Sequence, residues 1–337
     1  MIKSVHLEKG DTIATISPSW GCAGSSRVAW KYKLGAERLQ EIGLNVIAAP
    51  NSMRGTTYLR NNPEARAEDI LWAFENKDIK AIIANIGGND SDKILPFLDK
   101  KIIAANPKIL CGYSDVMNLH IYCHAAGLQT FYGANLLTTV AEQGMWHPYS
   151  KDMFVNTFFK AEPVGKIEAC KEWSFGKDNH INSSYRKEYV VNDGYRVIQG
   201  KGIVRGKLFG GHTGLMEDFL SDYLSVDCFK NKIFFFEEIP EFMTPEFIDM
   251  FFGWMGEKGY LQVLAGIVIG KMRTAKSYEP MAGQLKATLA KYEMQNLSVL
   301  YGLNFGHSSP SCILPYECEA EINADADSFA ILESGVN

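Results

Sequence analysis

The sequence lacks any run of about 20 apolar residues, the length that a membrane-spanning helix needs. It also lacks clusters of lysine and arginine, and its net charge of −5 is spread along the chain. A phosphate-binding surface of nucleic-acid type is therefore excluded, and we expect neither a membrane nor nucleic acid as a partner. No apolar segment of signal-peptide length occupies the first residues, so we expect a cytoplasmic location.

Cysteine is scarce and scattered, with seven residues among 337 and no spacing typical of a metal site or a disulfide framework. Such usage is typical of a reducing compartment. A complete G-x-G-x-x-G fingerprint is also missing, which argues against a dinucleotide cofactor. We predict neither a metal nor a cofactor.

Strands and helices alternate over the first 135 residues, and a chain of this length usually forms two domains. Thr12–Ile16 is a predicted strand, and Gly43 ends the helix that follows it. Further strands are predicted at 45–49, 81–86 and 108–111. This alternation predicts an α/β domain over residues 1–165 with a parallel sheet of Rossmann or flavodoxin type.

The pattern changes beyond about residue 162. Residues 166–199 are polar and irregular, too long for an ordinary connection, and favour a linker or a loop that covers a substrate. Residues 200–337 contain several short apolar runs and a few predicted helices, including one near Pro245–Met255. We expect a β-rich second domain there.

The turn Gly112-Tyr113-Ser114-Asp115 joins a short apolar strand to a helix, which is the arrangement of a nucleophile elbow. Such a turn exposes the Ser114 hydroxyl and leaves the N–H of Asp115 free to stabilise an oxyanion. A serine that only caps the helix is the alternative. The usual second glycine is absent, since Val116 occupies its place.

The glycine turn at Gly87-Gly88-Asn89-Asp90 is a second place where bare backbone can approach a ligand. It could donate another oxyanion N–H or hold a phosphate, or be an ordinary turn. Cys111 precedes the elbow and is expected to lie in the core.

The acid and the base of a catalytic triad stay open at this level. Glu237 follows the apolar run 233–236 and could pair with a histidine or end the strand in solvent. His307, in a Gly-flanked loop, and His212 compete for the base. His120 and His124 are one helical turn apart, but no third metal ligand is spaced to join them.

Several motifs in one order resemble the LD-carboxypeptidase family of serine peptidases, and within it the branch of microcin C self-immunity proteins. The resemblance covers nearly the whole chain. Its motifs are Gly10-Asp11-Thr12-Ile13, Pro18-Ser19, Arg66-Ala67-Glu68-Asp69, Ile86-Gly87-Gly88, Gly112-Tyr113-Ser114-Asp115, Phe236-Glu237-Glu238, Phe305-Gly306-His307 and Ile313-Leu314-Pro315.

The resemblance implies a triad of Ser114, Glu237 and His307, with an oxyanion hole from the backbone N–H groups of Gly88 and Asp115. It also implies that the N-terminal domain carries the serine, that the C-terminal domain carries the acid and base, and that the protein is a homodimer.

Two substrate classes follow from the resemblance. LD-carboxypeptidases remove a D-amino acid from a murein tetrapeptide in cell-wall recycling, whereas the immunity branch cleaves an aminoacyl-nucleotide amide. Glu172-Trp173-Ser174 resembles the immunity branch, in which a loop aromatic stacks on the nucleobase. We favour that branch, with a small peptide or peptidyl-nucleotide substrate. Trp173, Phe175 and Tyr185 are the candidate aromatics, and Asn89 and Tyr113 are further candidate substrate contacts.

Two other function classes remain as alternatives. A non-catalytic protein could use Gly88 and the adjoining cleft to bind a phosphate or peptide. A glutamine-amidotransferase-like enzyme would need cysteine at position 114, where this chain has serine, and is disfavoured.

Overall fold

Two separate β-sheets organise the chain in this computed structural model, which describes residues 1–175, 178–212, 224–271 and 277–337. Its α-helices are α1 Ala29–Glu41, α2 Thr56–Asn61, α3 Pro63–Glu75, α4 Lys100–Ala105, α5 Met117–Ala125, α6 Pro148–Phe158, α7 Pro245–Glu257 and α8 Tyr278–Lys291. Its strands are β1 Thr12–Ile16, β2 Asn45–Ala48, β3 Ile79–Ala84, β4 Ile109–Gly112, β5 Phe131–Tyr132, β6 Gly165–Lys166, β7 Glu172–Trp173, β8 Val190–Val191, β9 Arg196–Gln199, β10 Ile203–His212, β11 Lys232–Glu237, β12 Gly266–Gly270, β13 Ser298–Leu303, β14 Leu314–Pro315, β15 Glu319–Asn323 and β16 Ser328–Ile331.

The N-terminal sheet has the strand order β14-β5-β4-β3-β1-β2. Strands β1 to β5 pair in parallel, and only β14 runs antiparallel to its neighbour. The four residues 81–84 of β3 are all buried, as expected for a parallel strand covered by helices on both faces. The predicted α/β fold with a largely parallel sheet is confirmed.

The C-terminal sheet has the order β6-β16-β15-β10-β11-β12-β13-β9. Strands β10 to β13 pair in parallel at its centre, and antiparallel strands flank them on both sides. This confirms a β-rich second unit. The predicted linker segment contains β7, β8 and β9, and β9 is an edge strand of this sheet. The boundaries at residues 165 and 199 stay a prediction.

One hydrophobic core joins the two sheets. Met117 and Tyr132 from the N-terminal unit belong to the same buried cluster as Phe209 and Phe235 from the C-terminal sheet. Each fully buried side chain of this size contributes roughly 1.5–3 kcal/mol. The packing places the carboxyl ends of β3 and β4 opposite the carboxyl end of β11, where ligands of parallel sheets usually bind.

None of the helices within the described residues is long and apolar enough to cross a membrane.

Candidate active site

Ser114 lies in a strained turn directly after β4. Its φ angle is +66°, a left-handed conformation that costs a non-glycine residue roughly 1–2 kcal/mol. The helical turn that begins at Ser114 has Tyr113 as its N-cap residue and no side-chain capping hydrogen bond. The capping alternative is therefore wrong, and the turn has the geometry of a nucleophile elbow.

Space for this turn comes from glycines that precede Ser114 in the sequence. A Cβ on Gly87 would lie 2.8 Å from the Ser114 Cβ, and a Cβ on Gly112 would lie 2.8 Å from the Val116 Cγ1. The turn therefore tolerates Val116 where the usual elbow has a glycine, because the close approaches occur at Gly87 and Gly112.

His307 contacts both Ser114 and Glu237. Its Nε2 lies 3.1 Å from the Ser114 Oγ, and its Nδ1 lies 2.8 Å from the Glu237 Oε2. The backbone N–H of His307 also donates to that Oε2 at 3.0 Å. Gly306 has a φ of +75°, and a Cβ on it would lie 2.2 Å from the Glu237 Cδ. Glycine at 306 thus allows the loop to approach the carboxylate.

Glu237 is the last residue of β11 and is only 2% exposed. Burial alone would raise the pKa of its carboxyl, but the charge and hydrogen bond of His307, the charge of His212 and the hydrogen bond from Tyr132 lower it to about 2. The carboxylate is therefore ionised and oriented toward His307. The alternative of a solvated strand end is wrong for Glu237.

Tyr132, at the end of β5, was not singled out from the sequence. Its hydroxyl donates to the Glu237 Oε1 at 2.5 Å and accepts the backbone N–H of Ser114 at 3.1 Å. Burial first, and then the Glu237 charge, raise the pKa of this phenol well above its usual value. Tyr132 thus orients both the acid and the turn that carries Ser114.

The side chain of Asp115 holds the glycine turn against the elbow. Its Oδ2 accepts the backbone N–H groups of Asp90 at 2.9 Å and Ser91 at 3.0 Å. The N–H of Asp115 lies in the first turn of a helix, where no intrahelical acceptor is available. Gly88 lines the same cavity as Ser114.

Two further side chains fix the glycine turn from behind. The Ser19 Oγ accepts the N–H of Asn89 at 3.0 Å. Arg66 is 1% exposed and donates to the Asp90 Oδ1 at 2.9 Å and to the Pro18 oxygen at 2.9 Å. Pro18-Ser19 and Arg66, which belong to two of the motifs on which the family resemblance rests, therefore hold the glycine turn in place.

A cavity of about 340 Å³, here called the Ser114 cavity, contains the Ser114 hydroxyl. Part of its wall comes from the irregular segment, and the remainder from the turns described above. Residues lining it include Trp20, Gly87, Gly88, Tyr113, Ser114, Thr138, Phe175, Asp178, His180, Lys187, Glu241, His307 and Ser309.

Buried charges hold the irregular segment over the Ser114 cavity. Lys31 of α1 is fully buried and donates to the Asp178 Oδ1 at 3.0 Å. Burial lowers the pKa of Lys31, and the Asp178 charge counters this in part. Lys187 lies 3.4 Å from the Asp178 Oδ2 and donates to the Ser309 Oγ at 2.6 Å. Residues 176 and 177 of this segment lie outside the described residues.

The candidate substrate contacts lie at different positions relative to the Ser114 cavity. Tyr113 lines the Ser114 cavity, and its ring lies 5.2 Å from the His307 ring. Asn89 is exposed beside Gly88, and Trp173 lines a neighbouring cavity. Phe175 lines both cavities. Trp20 was missed, although it follows the carboxyl end of β1 and so could have been expected at this edge.

The competing histidine has another partner. His212 Nε2 lies 2.9 Å from the Glu238 Oε1, and its ring lies 5.1 Å from the His307 ring. Burial lowers the pKa of His212, but the hydrogen bond to Glu238 and the nearby carboxylate charges outweigh burial and raise it. His120 is buried with its Nε2 2.9 Å from the Gly112 oxygen. No cluster of metal-ligating side chains occurs within the described ranges.

Comparison with known proteins gives a family match to both halves of the chain. The model of the LD-carboxypeptidase N-terminal domain matches residues 13–133, and that of the LD-carboxypeptidase C-terminal domain matches residues 205–322. Together these matches cover more than half of the sequence.

Individual relatives match over nearly their full lengths. The probable murein peptide carboxypeptidase of Bacillus subtilis is 27% identical over 99% of this chain and 95% of its own length. The microcin C7 self-immunity protein MccF of Escherichia coli is 25% identical over 97% of this chain and 94% of its own.

Solved structures give the same result. An MccF-like protein from Streptococcus pneumoniae in complex with AMP has a TM-score of 0.85 and 25% identity, over 96% of this chain and 98% of its own. A structure of MccF in complex with aspartyl sulfamoyl adenosine has a TM-score of 0.83 and 25% identity, over 100% of both chains.

Proposed function

Because the chain belongs to the LD-carboxypeptidase family of serine peptidases, we propose that Ser114, His307 and Glu237 are its catalytic triad. The observation that carries this proposal is one continuous chain of contacts, from the Ser114 Oγ through both ring nitrogens of His307 to the Glu237 carboxylate. Its substrate is the amide bond of a small peptide or a peptidyl nucleotide.

The reaction follows from this geometry. His307 Nε2 takes the proton of Ser114 while Oγ bonds to the acyl carbon of the amide. The imidazolium then gives that proton to the amide nitrogen, the C–N bond breaks and the amine leaves. A water molecule, deprotonated by His307, attacks the acyl carbon. The bond from that carbon to Oγ breaks, the acid leaves, and His307 returns the proton to Ser114. The ionised Glu237 accepts the Nδ1–H and stabilises the imidazolium.

Two backbone N–H groups are suited to the oxyanion. We assign the N–H of Asp115, free at its helix N-terminus, and the N–H of Gly88 on the adjoining turn. The Asp115 carboxylate holds this turn through Asp90 and Ser91. Asp115 therefore supplies one N–H donor from its backbone, and its side chain orients the turn that carries the second donor, the N–H of Gly88.

Aromatic rings at the Ser114 cavity support a nucleotide substrate. Trp20 is 42% exposed, and its ring meets the His180 ring edge to face at 5.7 Å between centroids. Exposed rings of this kind offer π-faces on which a nucleobase can stack. AMP and aspartyl sulfamoyl adenosine are bound by MccF-like and MccF structures that this chain resembles.

A murein tetrapeptide is the second candidate substrate, because the Bacillus subtilis relative is named as a murein peptide carboxypeptidase. Removal of a terminal D-amino acid would use the same triad and the same acyl-enzyme chemistry. The two candidates differ in the acyl group that binds to Ser114 and in the leaving group, which is a nucleotide amide in one case and a D-amino acid in the other.

We expect the purified protein to cleave an aspartyl-adenylate amide faster than a murein tetrapeptide, with products identified by mass spectrometry. Trp20→Ala should raise KM for the nucleotide substrate at least several-fold, because it removes the stacking face, and should leave the tetrapeptide KM unchanged. Trp72→Ala is the matched control, since Trp72 is partly exposed and lines neither the Ser114 cavity nor the neighbouring cavity. Release of D-alanine alone would show that the tetrapeptide is the substrate.

The homodimer, the cytoplasmic location and the roles of Asn89 and Trp173 in substrate binding stay predictions.

A further inference from the structure

A second cavity, of about 610 Å³, lies beside the Ser114 cavity and is here called the Lys271 cavity. Its volume falls in the range of small-molecule sites. Phe175 lines both cavities, and the backbones of Ser174 and Ser309 exchange two hydrogen bonds of 2.7 Å between them. The two cavities are therefore separated by one short wall of chain.

The Lys271 cavity lies at the carboxyl end of a parallel strand. Lys271 directly follows β12, which pairs in parallel with β11 and β13. Open parallel sheets bind ligands outside the carboxyl ends of their strands. The N-terminal sheet uses this edge for Ser114, and the Lys271 cavity occupies the corresponding edge of the C-terminal sheet.

Lys271 is buried without a direct ion pair to any residue that the structure describes, although the nearby Asp193 charge offsets part of the effect of burial on its pKa. The residue is 5% exposed, and its Nζ donates to the Asn192 Oδ1 at 2.8 Å. Among the described residues no carboxylate lies within 4 Å of this nitrogen, and Asp193, which also lines the cavity, pairs with Arg196 at 3.2 Å. Residues 272–276, which follow in the sequence, contain no Asp or Glu.

Lys271 has unused hydrogen-bond donors that can bind an anion. An ammonium has three donors, and the Asn192 bond uses one of them. Burial lowers the pKa of Lys271 to about 8, so leaving the charge unpaired is costly. A bound carboxylate or phosphate would accept the remaining donors and offset that cost.

Aromatic rings form part of the wall, which also includes Arg186, Glu188 and Val190. Trp173 lies under the Lys271 nitrogen, which is 5.5 Å from the ring centroid, and Tyr278 packs against Tyr301 at 4.9 Å between centroids. The Arg196 guanidinium lies 5.0 Å from the Tyr278 ring centroid. These faces suit a flat ring, which stacks on aromatic side chains and on guanidinium groups.

We propose that the Lys271 cavity is a binding site for a small organic anion, a carboxylate or phosphate carried on a flat ring, with Lys271 as its charge partner. The site is distinct from the Ser114 cavity, and the proposal does not depend on the catalytic role of Ser114.

Calorimetric titration of the Ser114→Ala chain tests the proposal, because binding is then read without turnover. Benzoate and phenyl phosphate are the ring-bearing anions, benzamide is the neutral ring, and inorganic phosphate is the anion without a ring. We expect at least one ring-bearing anion to bind at least tenfold more tightly than benzamide and than inorganic phosphate.

Lys271→Met should weaken that binding at least tenfold, since it keeps the side-chain length and removes the charge. Arg196→Met, at a side chain that is 42% exposed, should weaken it several-fold without affecting folding. Lys230→Met, at an exposed lysine outside the cavity, is the matched control and should bind as the parent does. The proposal is overturned if neither ring-bearing anion binds, if benzamide binds equally well, or if both cavity variants bind like the control.

Discussion

Replacing Ser114 by alanine is expected to lower kcat by at least about 10⁴-fold, toward the level of the uncatalysed reaction, with the fold intact. The substitution removes the only atom that can form the acyl-enzyme in the proposed mechanism. Its effect on folding should be small, because the Oγ lies at a cavity and makes its contact with His307. Kinetics on the cleaved substrate and a urea unfolding curve measure the two quantities separately.

Ser309→Ala is the matched control for this prediction. Ser309 lines the same cavity, and its Oγ accepts from Lys187 instead of contacting His307. We expect it to retain activity within about tenfold, because it removes one hydrogen bond of roughly 1 kcal/mol. Equal losses of kcat in both variants would contradict a specific role of the Ser114 hydroxyl. Turnover by Ser114→Ala would exclude Ser114 as the nucleophile.

Glu237→Gln is expected to lower kcat by about 10⁴-fold with little change in KM, as loss of the carboxylate does in other triads. The carboxylate accepts the Nδ1–H of His307 and so leaves Nε2 unprotonated beside Ser114. A glutamine can present its amide N–H to Nδ1, which places the proton on Nε2. That tautomer cannot accept the serine proton.

The pH dependence of folding stability gives a second test of the Glu237 charge. The pKa of Glu237 is lowered from 4.5 to about 2 in the folded chain. Its charge therefore stabilises the fold fully above pH 4.5, and this contribution is lost as the pH falls toward 2. The difference in urea midpoint between wild type and Glu237→Gln should narrow across that window.

Glu238→Gln is the control for the activity loss, since Glu238 is equally buried at 3% exposure but lies beside His212. It should keep kcat within about tenfold of wild type, as its partner is not the proposed base. A Glu238 variant as inactive as the Glu237 variant would contradict the specific role of Glu237 as the partner of His307.

Much of the N-terminal sheet could be predicted from the sequence, because its cues are local. The strand predicted at Thr12–Ile16 has those bounds, and α3 begins at Pro63 where the proline fits the first turn. The elbow at Ser114 could be predicted for the same reason, since strand, glycine turn and helix are adjacent in the chain.

The acid and base could not be assigned from local cues. Whether Glu237 is solvated or buried depends on Tyr132 and His307, which are 105 and 70 positions away in the sequence. His212 and His307 both follow glycines, and they are distinguished by their partners, which are Glu238 for His212 and Glu237 with Ser114 for His307. The Lys31–Asp178 pair, 147 positions apart, was missed for the same reason.

Covalent labelling tests the assignment of Ser114 as the nucleophile most directly. The intact protein would be treated with a fluorophosphonate, digested, and its modified peptide identified by mass spectrometry. The mechanism predicts one adduct, on Ser114, whose formation is largely lost in His307→Ala because the hydroxyl is then no longer activated. An adduct on another residue, or equally fast labelling of Ser114 without His307, would contradict it.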